Sequence, residues 1–157
     1  MQAGGGGLTV WASFHAGGKP DLVFLEETIN QHRYRDILQQ TLIPFARATF
    51  RDNFVFQDDN ARPHRAHMIQ DIIQANSIEH MEWPALSPDM NPIENLWAEL
   101  TRQIDNLDQQ PTSVAELRQA LINGWRAIPG QTLQNLVDSM PRRVRALLLA
   151  RGGHTKY

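Results

Sequence analysis

The run Phe54-Val55-Phe56-Gln57-Asp58 limits what this chain can fold into. It is apolar and aromatic but too short for a helix, so it reads as a strand buried on both faces. Such a strand needs cover above and below, and its flanks supply it. Tyr34, Ile37, Leu38, Leu42 and Phe45 recur at helical spacing across 31–50, with Pro44 marking a kink. Met68, Ile69, Ile72 and Ile73 make one apolar helical face across 64–75. Upstream, 8–14 and 21–27 read as a β-hairpin joined through the turn signal Ala-Gly-Gly-Lys-Pro. The run 78–83 is a weaker strand, setting Ile78, His80 and Glu82 against Glu79, Met81 and Trp83.

The clearest helical signal follows. Ile93, Leu96, Trp97, Leu100 and Ile104 form a single stripe. Thr112 or Ser113 then caps a helix carrying Val114, Leu117, Leu121 and Trp125 in register, and shorter helices are expected over 130–139 and 141–151. Strands alternating with helices predict an α/β fold, a mixed sheet flanked by helices. In such sheets, binding groups gather at the carboxyl ends of strands. Asp58 and Asp59 stand at such an end.

Composition agrees with this picture. The 157 residues are 41% apolar and 20% charged, which suits one globular domain. No run approaches the ~20 apolar residues of a membrane helix, so no membrane partner is expected. The absence of cysteine excludes disulfides, thiolate catalysis and cysteine zinc sites. Net charge is −2, yet Arg142, Arg143, Arg145, Arg151 and Lys156 close the chain with no acid among them. A basic end on a near-neutral chain suits either a polyanion partner or a solvated helix end.

Extended backbone alternates its side chains, so Asp58 and Asp59 are predicted on opposite faces and only one enters any cluster. Spacing leaves open which. The second carboxylate of interest is Glu94. It reads locally as the third residue of a capping box, with Asn91 as N-cap and Pro92 as the first helical residue. That role is compatible with holding a metal. His64 and His67 stand three apart with no third nitrogen or thiolate ligand, so they do not read as a zinc set. Trp83 and Trp97 read as core. Gly4–Gly7 lacks the Lys-Ser/Thr of a phosphate loop and reads as a flexible lead-in.

The joint run of Gln-Asp-Asp-Asn-Ala-Arg-Pro-His-Arg-Ala (57–66) and Trp-Pro-Ala-Leu-Ser-Pro-Asp-Met-Asn-Pro-Ile-Glu-Asn-Leu-Trp (83–97) resembles the catalytic core of the Tc/mariner superfamily DNA transposases. Thirty-four residues separate Asp59 from Glu94, the spacing typical of the family's Asp-Asp-Glu subgroup. The likeness continues upstream through Val-Trp-Ala-Ser-Phe and downstream to the closing Gly-Gly-His-Thr-Lys-Tyr, so it covers nearly the whole chain.

The resemblance implies an RNase H-like domain for metal-dependent DNA strand cleavage and transfer in the nucleus. Its cofactor would be Mg²⁺ or Mn²⁺, with two metals in the complete enzyme. Its partners would be inverted-repeat and target DNA. In the family the catalytic aspartate directly precedes asparagine, which designates Asp59 as catalytic and metal-binding, with Glu94 beside it. The preceding position is commonly Gln or His; Asp58 departs from that and is expected as a surface acid. Arg62, His64 and Arg65, with Arg142, Arg143 and Arg145, are the expected DNA contacts.

The family's first acidic residue belongs to a strand ahead of Leu8, and no such strand or acid is expected here. Asp21 reads as a turn residue, and Glu26, Glu27 and Asp36 lack central-strand context. The expected division is a partial catalytic core over 1–107 and a helical C-terminal extension over 108–157. The chain alone is expected to be inactive, unless it pairs with a full-length relative or a second copy. The alternatives are a non-catalytic nucleic-acid-binding or interaction module, or a product with no function of its own.

Overall fold

A computed structural model describes residues 2–3, 6–26, 28–83 and 90–149. The expected features at Glu27, in the 84–89 loop and in the closing basic residues Arg151 and Lys156 lie outside the described residues. The chain divides into two compact units, Met1–Glu26 with Asp89–Tyr157, and Glu27–Pro88. The expected boundary at 107/108 thus falls inside the first unit.

That unit opens with β1 (Gln2–Ala3) and β2 (Gly6–Gly7), paired antiparallel. The glycine run, expected as a flexible lead-in, therefore contributes a strand, and two short strands precede Leu8 where none was expected. β3 (Thr9–Trp11) and β4 (Val23–Leu25) form the expected hairpin, in the register Thr9↔Leu25, Val10↔Phe24 and Trp11↔Val23. Four helices complete the unit: α4 (Ile93–Asp105), α5 (Val114–Ala127), α6 (Gly130–Asp138) and α7 (Met140–Leu149).

The α4 stripe does what its period predicts. Leu96, Leu100 and Ile104 join Leu117, Leu121, Trp125, Ile128 and Leu133 in one buried cluster, and Leu8, Val10 and Phe24 of the hairpin pack against it. Burying each large side chain contributes roughly 1.5–3 kcal/mol. Polar atoms at this core find partners. Trp125 Nε1 donates to the Pro20 carbonyl (2.9 Å), and Lys19 Nζ to the Ile128 carbonyl (3.0 Å). Gly124 lets α5 pack closely on Leu100 of α4: a Cβ there would sit 2.7 Å from Leu100 Cδ1. Ser113 is the α5 cap, its Oγ accepting from Glu116 N (3.2 Å), while Glu116 Oε2 accepts from Thr112 N (2.8 Å). The two residues proposed as caps thus share the task.

The second unit holds α1 (Gln31–Ile37), α2 (Ile43–Phe50), β5 (Val55–Phe56), α3 (His67–Ala75) and β6 (Glu79–His80). Asn30 caps α1, its Oδ1 accepting from His32 N and Arg33 N (both 3.0 Å). Between α1 and α2 the helix widens into a π-helical stretch, Leu38–Leu42. Pro44 follows two residues on; it has no N–H to donate and its ring crowds the carbonyl four residues back, and the wider turn accommodates both. Tyr34, Ile37, Leu38, Leu42, Phe56, Ile69 and Ile73 are buried, as expected, but Val55 is 47% exposed, so β5 is covered on one face and not on both.

β5 and β6 pair in parallel, Val55↔Glu79 and Phe56↔His80. Parallel pairing requires a crossover, and α3 provides it. The strands are shorter than expected. Among the described residues they form three two-stranded ladders, two antiparallel and one parallel.

Candidate metal and nucleic-acid site

The chain leaves the β5 ladder after Phe56, and its next residues are shaped by side-chain hydrogen bonds. Asp58 Oδ1 accepts from Asn60 N (2.9 Å), and Asp59 Oδ1 accepts from Ala61 N (2.9 Å). These are two overlapping turns in which an aspartate bonds the backbone two residues on. Asn60 sits at φ 59°, a left-handed conformation that asparagine tolerates, and its side chain donates to the Trp83 carbonyl. Trp83 is buried, as expected. A 3₁₀ turn, Arg62–Arg65, then carries His64 onto the ring of Tyr34, with centroids 3.9 Å apart.

This geometry overturns the expectation that Asp58 is a surface acid facing away from Asp59. Strand alternation stops at Phe56, because the aspartates turn the backbone before it can continue. Asp58 is the buried one, its side chain 5% exposed, and Asp59 the open one at 51%. One ligand atom each from Asp58, Asp59 and His64 lie within 4.8 Å of one another. His64 Nδ1 is 2.8 Å from Asp59 Oδ1 and 3.9 Å from Asp58 Oδ2, and His80 Nε2 is 3.3 Å from Asp58 Oδ2. Despite these separations, Asp58 Oδ2, His64 Nδ1 and His80 Nε2 are buried without an aligned hydrogen bond. Three buried groups in such a state are costly unless something else satisfies them. A divalent cation fits that donor set: two hard carboxylates to neutralise its charge and an imidazole nitrogen beside them.

The electrostatics follow the geometry. The His64 nitrogen beside Asp59 holds its carboxyl below the usual carboxylate range; partial burial opposes this and the Ala61 N–H adds to it. Burial raises the Tyr34 hydroxyl well above its ordinary value, and the negative charges of Asp58 and Asp59 raise it further. His80 and Tyr34 were not singled out by sequence. His80 stood in a strand of weak pattern, and Tyr34 read only as one residue of an apolar helical stripe.

Arg62 and Arg65 are exposed on the 3₁₀ turn beside His64. Glu94, of the other unit, is exposed in the first turn of α4. There the N-cap position falls on Pro92 rather than on Asn91 as expected; Asn91 Oδ1 accepts from Ile93 N (3.3 Å) from one residue further back, and Glu94 is the second helical residue, not the third. Arg142 and Arg145 are exposed on α7.

Arg143 is not exposed. It is 3% accessible, its Nε donating to Ser139 Oγ (2.8 Å) and its Nη2 to Asn95 Oδ1 (2.7 Å). It ties α7 to α4 and presents no guanidinium to a phosphate, a correction to its expected place among the DNA contacts. Helical spacing carried the signal: Met140, Arg143 and Leu147 share the inward face of α7.

Residues 2–118 match the family described as DDE superfamily endonuclease. Tc1 transposase of Caenorhabditis elegans is 36% identical over 157 residues, covering 100% of this chain and 57% of that protein. Tcb1 transposase of Caenorhabditis briggsae is 35% identical over the same span, again with 57% of its length covered. The chain thus spans little more than half the length of these curated relatives. Among solved structures, the Mos1 transposase catalytic domain with Raltegravir and Mg superposes with a TM-score of 0.79 at 22% identity, over 95% of this chain and 77% of that one. The Mos1 strand transfer complex gives a TM-score of 0.75 at 25% identity, over 95% of this chain and 43% of its own.

Proposed function

This chain belongs to the DDE superfamily endonucleases, as a catalytic-domain fragment of the Tc/mariner transposase type, and on that premise we propose that it serves metal-dependent DNA strand cleavage and transfer. Asp59 and Glu94 are two of the carboxylates that hold the catalytic Mg²⁺ or Mn²⁺. The observation that carries this is Asp59 itself: open to solvent at the carboxyl end of a parallel strand, and held ionised by His64. When bound, the dications supply an activated oxygen nucleophile and neutralise the leaving oxygen at phosphorus. His64 orients the Asp59 carboxylate. Arg62 and Arg65, one turn further on, lie ready to contact the phosphates of the transposon end, and Arg142 and Arg145 to hold flanking duplex. Its place of action is the nucleus.

The test joins this chain to the segment that precedes the matched region in Tc1 transposase, and follows nicking of an inverted-repeat duplex in Mg²⁺ or Mn²⁺. The extended protein is expected to cut, and the chain alone to be silent. Asp59→Asn and Glu94→Gln should each abolish cutting. Cutting that survives Asp59→Asn ends the proposal.

A second reading, a DNA-binding or pairing module without catalysis, is favoured by α7. Arg142 and Arg145 are exposed there, as are Leu148 and Leu149 at 73% and 79%. DNA binding with a steep salt dependence, in a chain whose extended form never cuts, would select it.

A further inference from the structure

We propose that Asp58, Asp59 and His64 form a local binding site for a transition-metal dication, complete without Glu94 and preferring Mn²⁺ or Zn²⁺ to Mg²⁺. The proposal rests on Asp59 as a metal ligand, shared with the function above, and goes beyond it in ligand set and metal preference.

Three observations carry it. The first is convergence. Ligands on one ion with bonds of about 2.0–2.2 Å stand no more than about 4.4 Å apart. His64 Nδ1 meets that limit with both aspartates, at 2.8 and 3.9 Å.

The second is lack of other employment. If the cluster were a structural network, its buried atoms would close hydrogen bonds with one another. Asp58 Oδ2 closes no hydrogen bond with either imidazole, at 3.9 Å from His64 Nδ1 and 3.3 Å from His80 Nε2, although the Asp58 side chain is only 5% exposed. Asp58 Oδ1 and Asp59 Oδ1 are each used by a turn, which fixes both carboxylates in place.

The third is chemistry. Two carboxylates neutralise a dication, and an imidazole nitrogen favours transition metals over Mg²⁺, which takes oxygen and sheds water reluctantly. Asp58 stands where the resembled family commonly has Gln or His, so this carboxylate is a feature of this chain's own sequence. His80, stacked on Phe56 with Nε2 at 3.3 Å from Asp58 Oδ2, is a positioning residue for Asp58.

The experiment titrates the purified chain with Mn²⁺, counting free ion by EPR and following histidine side-chain resonances by NMR. One Mn²⁺ per chain is expected, displaced by Zn²⁺ at far lower concentration than by Mg²⁺. It should broaden the His64 and His80 rings, and the broadening at His80 should fade in His64→Gln. Asp58→Asn and His64→Gln should each weaken binding about 10-fold or more, and His80→Gln by less, while Asp71→Asn, at an exposed carboxylate of α3, leaves it within about twofold. The wild-type broadening pattern stands even if a variant fails to fold.

Mn²⁺ that leaves the His64 and His80 rings sharp, or no binding by about 1 mM, overturns the proposal. So does loss of binding in Glu94→Gln with none in His64→Gln, an outcome that would leave the Asp59–Glu94 assignment standing.

Discussion

The unit containing α4 to α7 and the unit containing β5 and β6 treat buried polar atoms differently. In the first, Trp125 Nε1, Lys19 Nζ and the Arg143 guanidinium each reach a named acceptor at 2.7–3.0 Å. In the second, three buried atoms at one strand end converge on a carboxylate without an aligned bond. The first unit also has one such atom, Ser13 Oγ, but it stands alone rather than in a charged cluster. A partnered polar group fixes packing; an unpartnered cluster holds potential for a ligand that balances its charge. The contrast separates side chains that hold the fold from side chains kept ready for chemistry.

Substitution should expose that contrast. The largest effect is expected in the helical core. Leu100→Ala should cost about 3–5 kcal/mol in urea unfolding, since Leu100 is fully buried beside Gly124. Arg143→Ala should cost about 2 kcal/mol by stranding Asn95 Oδ1 and Ser139 Oγ.

Tyr34 offers a pH test. Its unfolded-state value is near 10.0, and the folded chain keeps the hydroxyl neutral to higher pH. Its contribution is therefore intact below that value and is lost as pH rises above it. Stability of the metal-free chain should fall by up to about 1.4 kcal/mol per pH unit there, and Tyr34→Phe should flatten the fall. Smaller still, Arg142→Ala with Arg145→Ala should leave stability within about 0.5 kcal/mol and reduce the salt slope of DNA binding by about 2. At the strand end, Asp58→Asn should move metal-free stability by less than about 1 kcal/mol. A loss as large as that of Leu100→Ala would dissolve the contrast between the two units.

The helices were legible because a 3.6-residue period needs no partner to be read. The α4 stripe and the Ser113 cap both appear where the sequence puts them. Strand lengths were less legible, since a ladder depends on what lies beside it: 54–58 looks extended, yet only Val55 and Phe56 pair. The site was half legible. Asp59 follows from the resemblance, but the burial of Asp58 depends on local competition, where aspartate side chains bond the backbone and end the strand early. Arg143 shows the limit of counting charge. Three nearby arginines look alike in composition, and only helical phase tells which one turns inward.

The split of the first unit across the chain has a consequence for its birth on the ribosome. Pro20 accepts from Trp125 across 105 residues, and the apolar side chains of the β3–β4 hairpin pack on residues made equally late. At about 5–20 residues per second, that hairpin emerges roughly 5–20 seconds before its cover. The contiguous stretch between its two halves has a short wait for its own partners. During synthesis the amino-terminal hairpin is therefore the segment open to mispairing and chaperone capture, while the strand end bearing the two aspartates takes shape first.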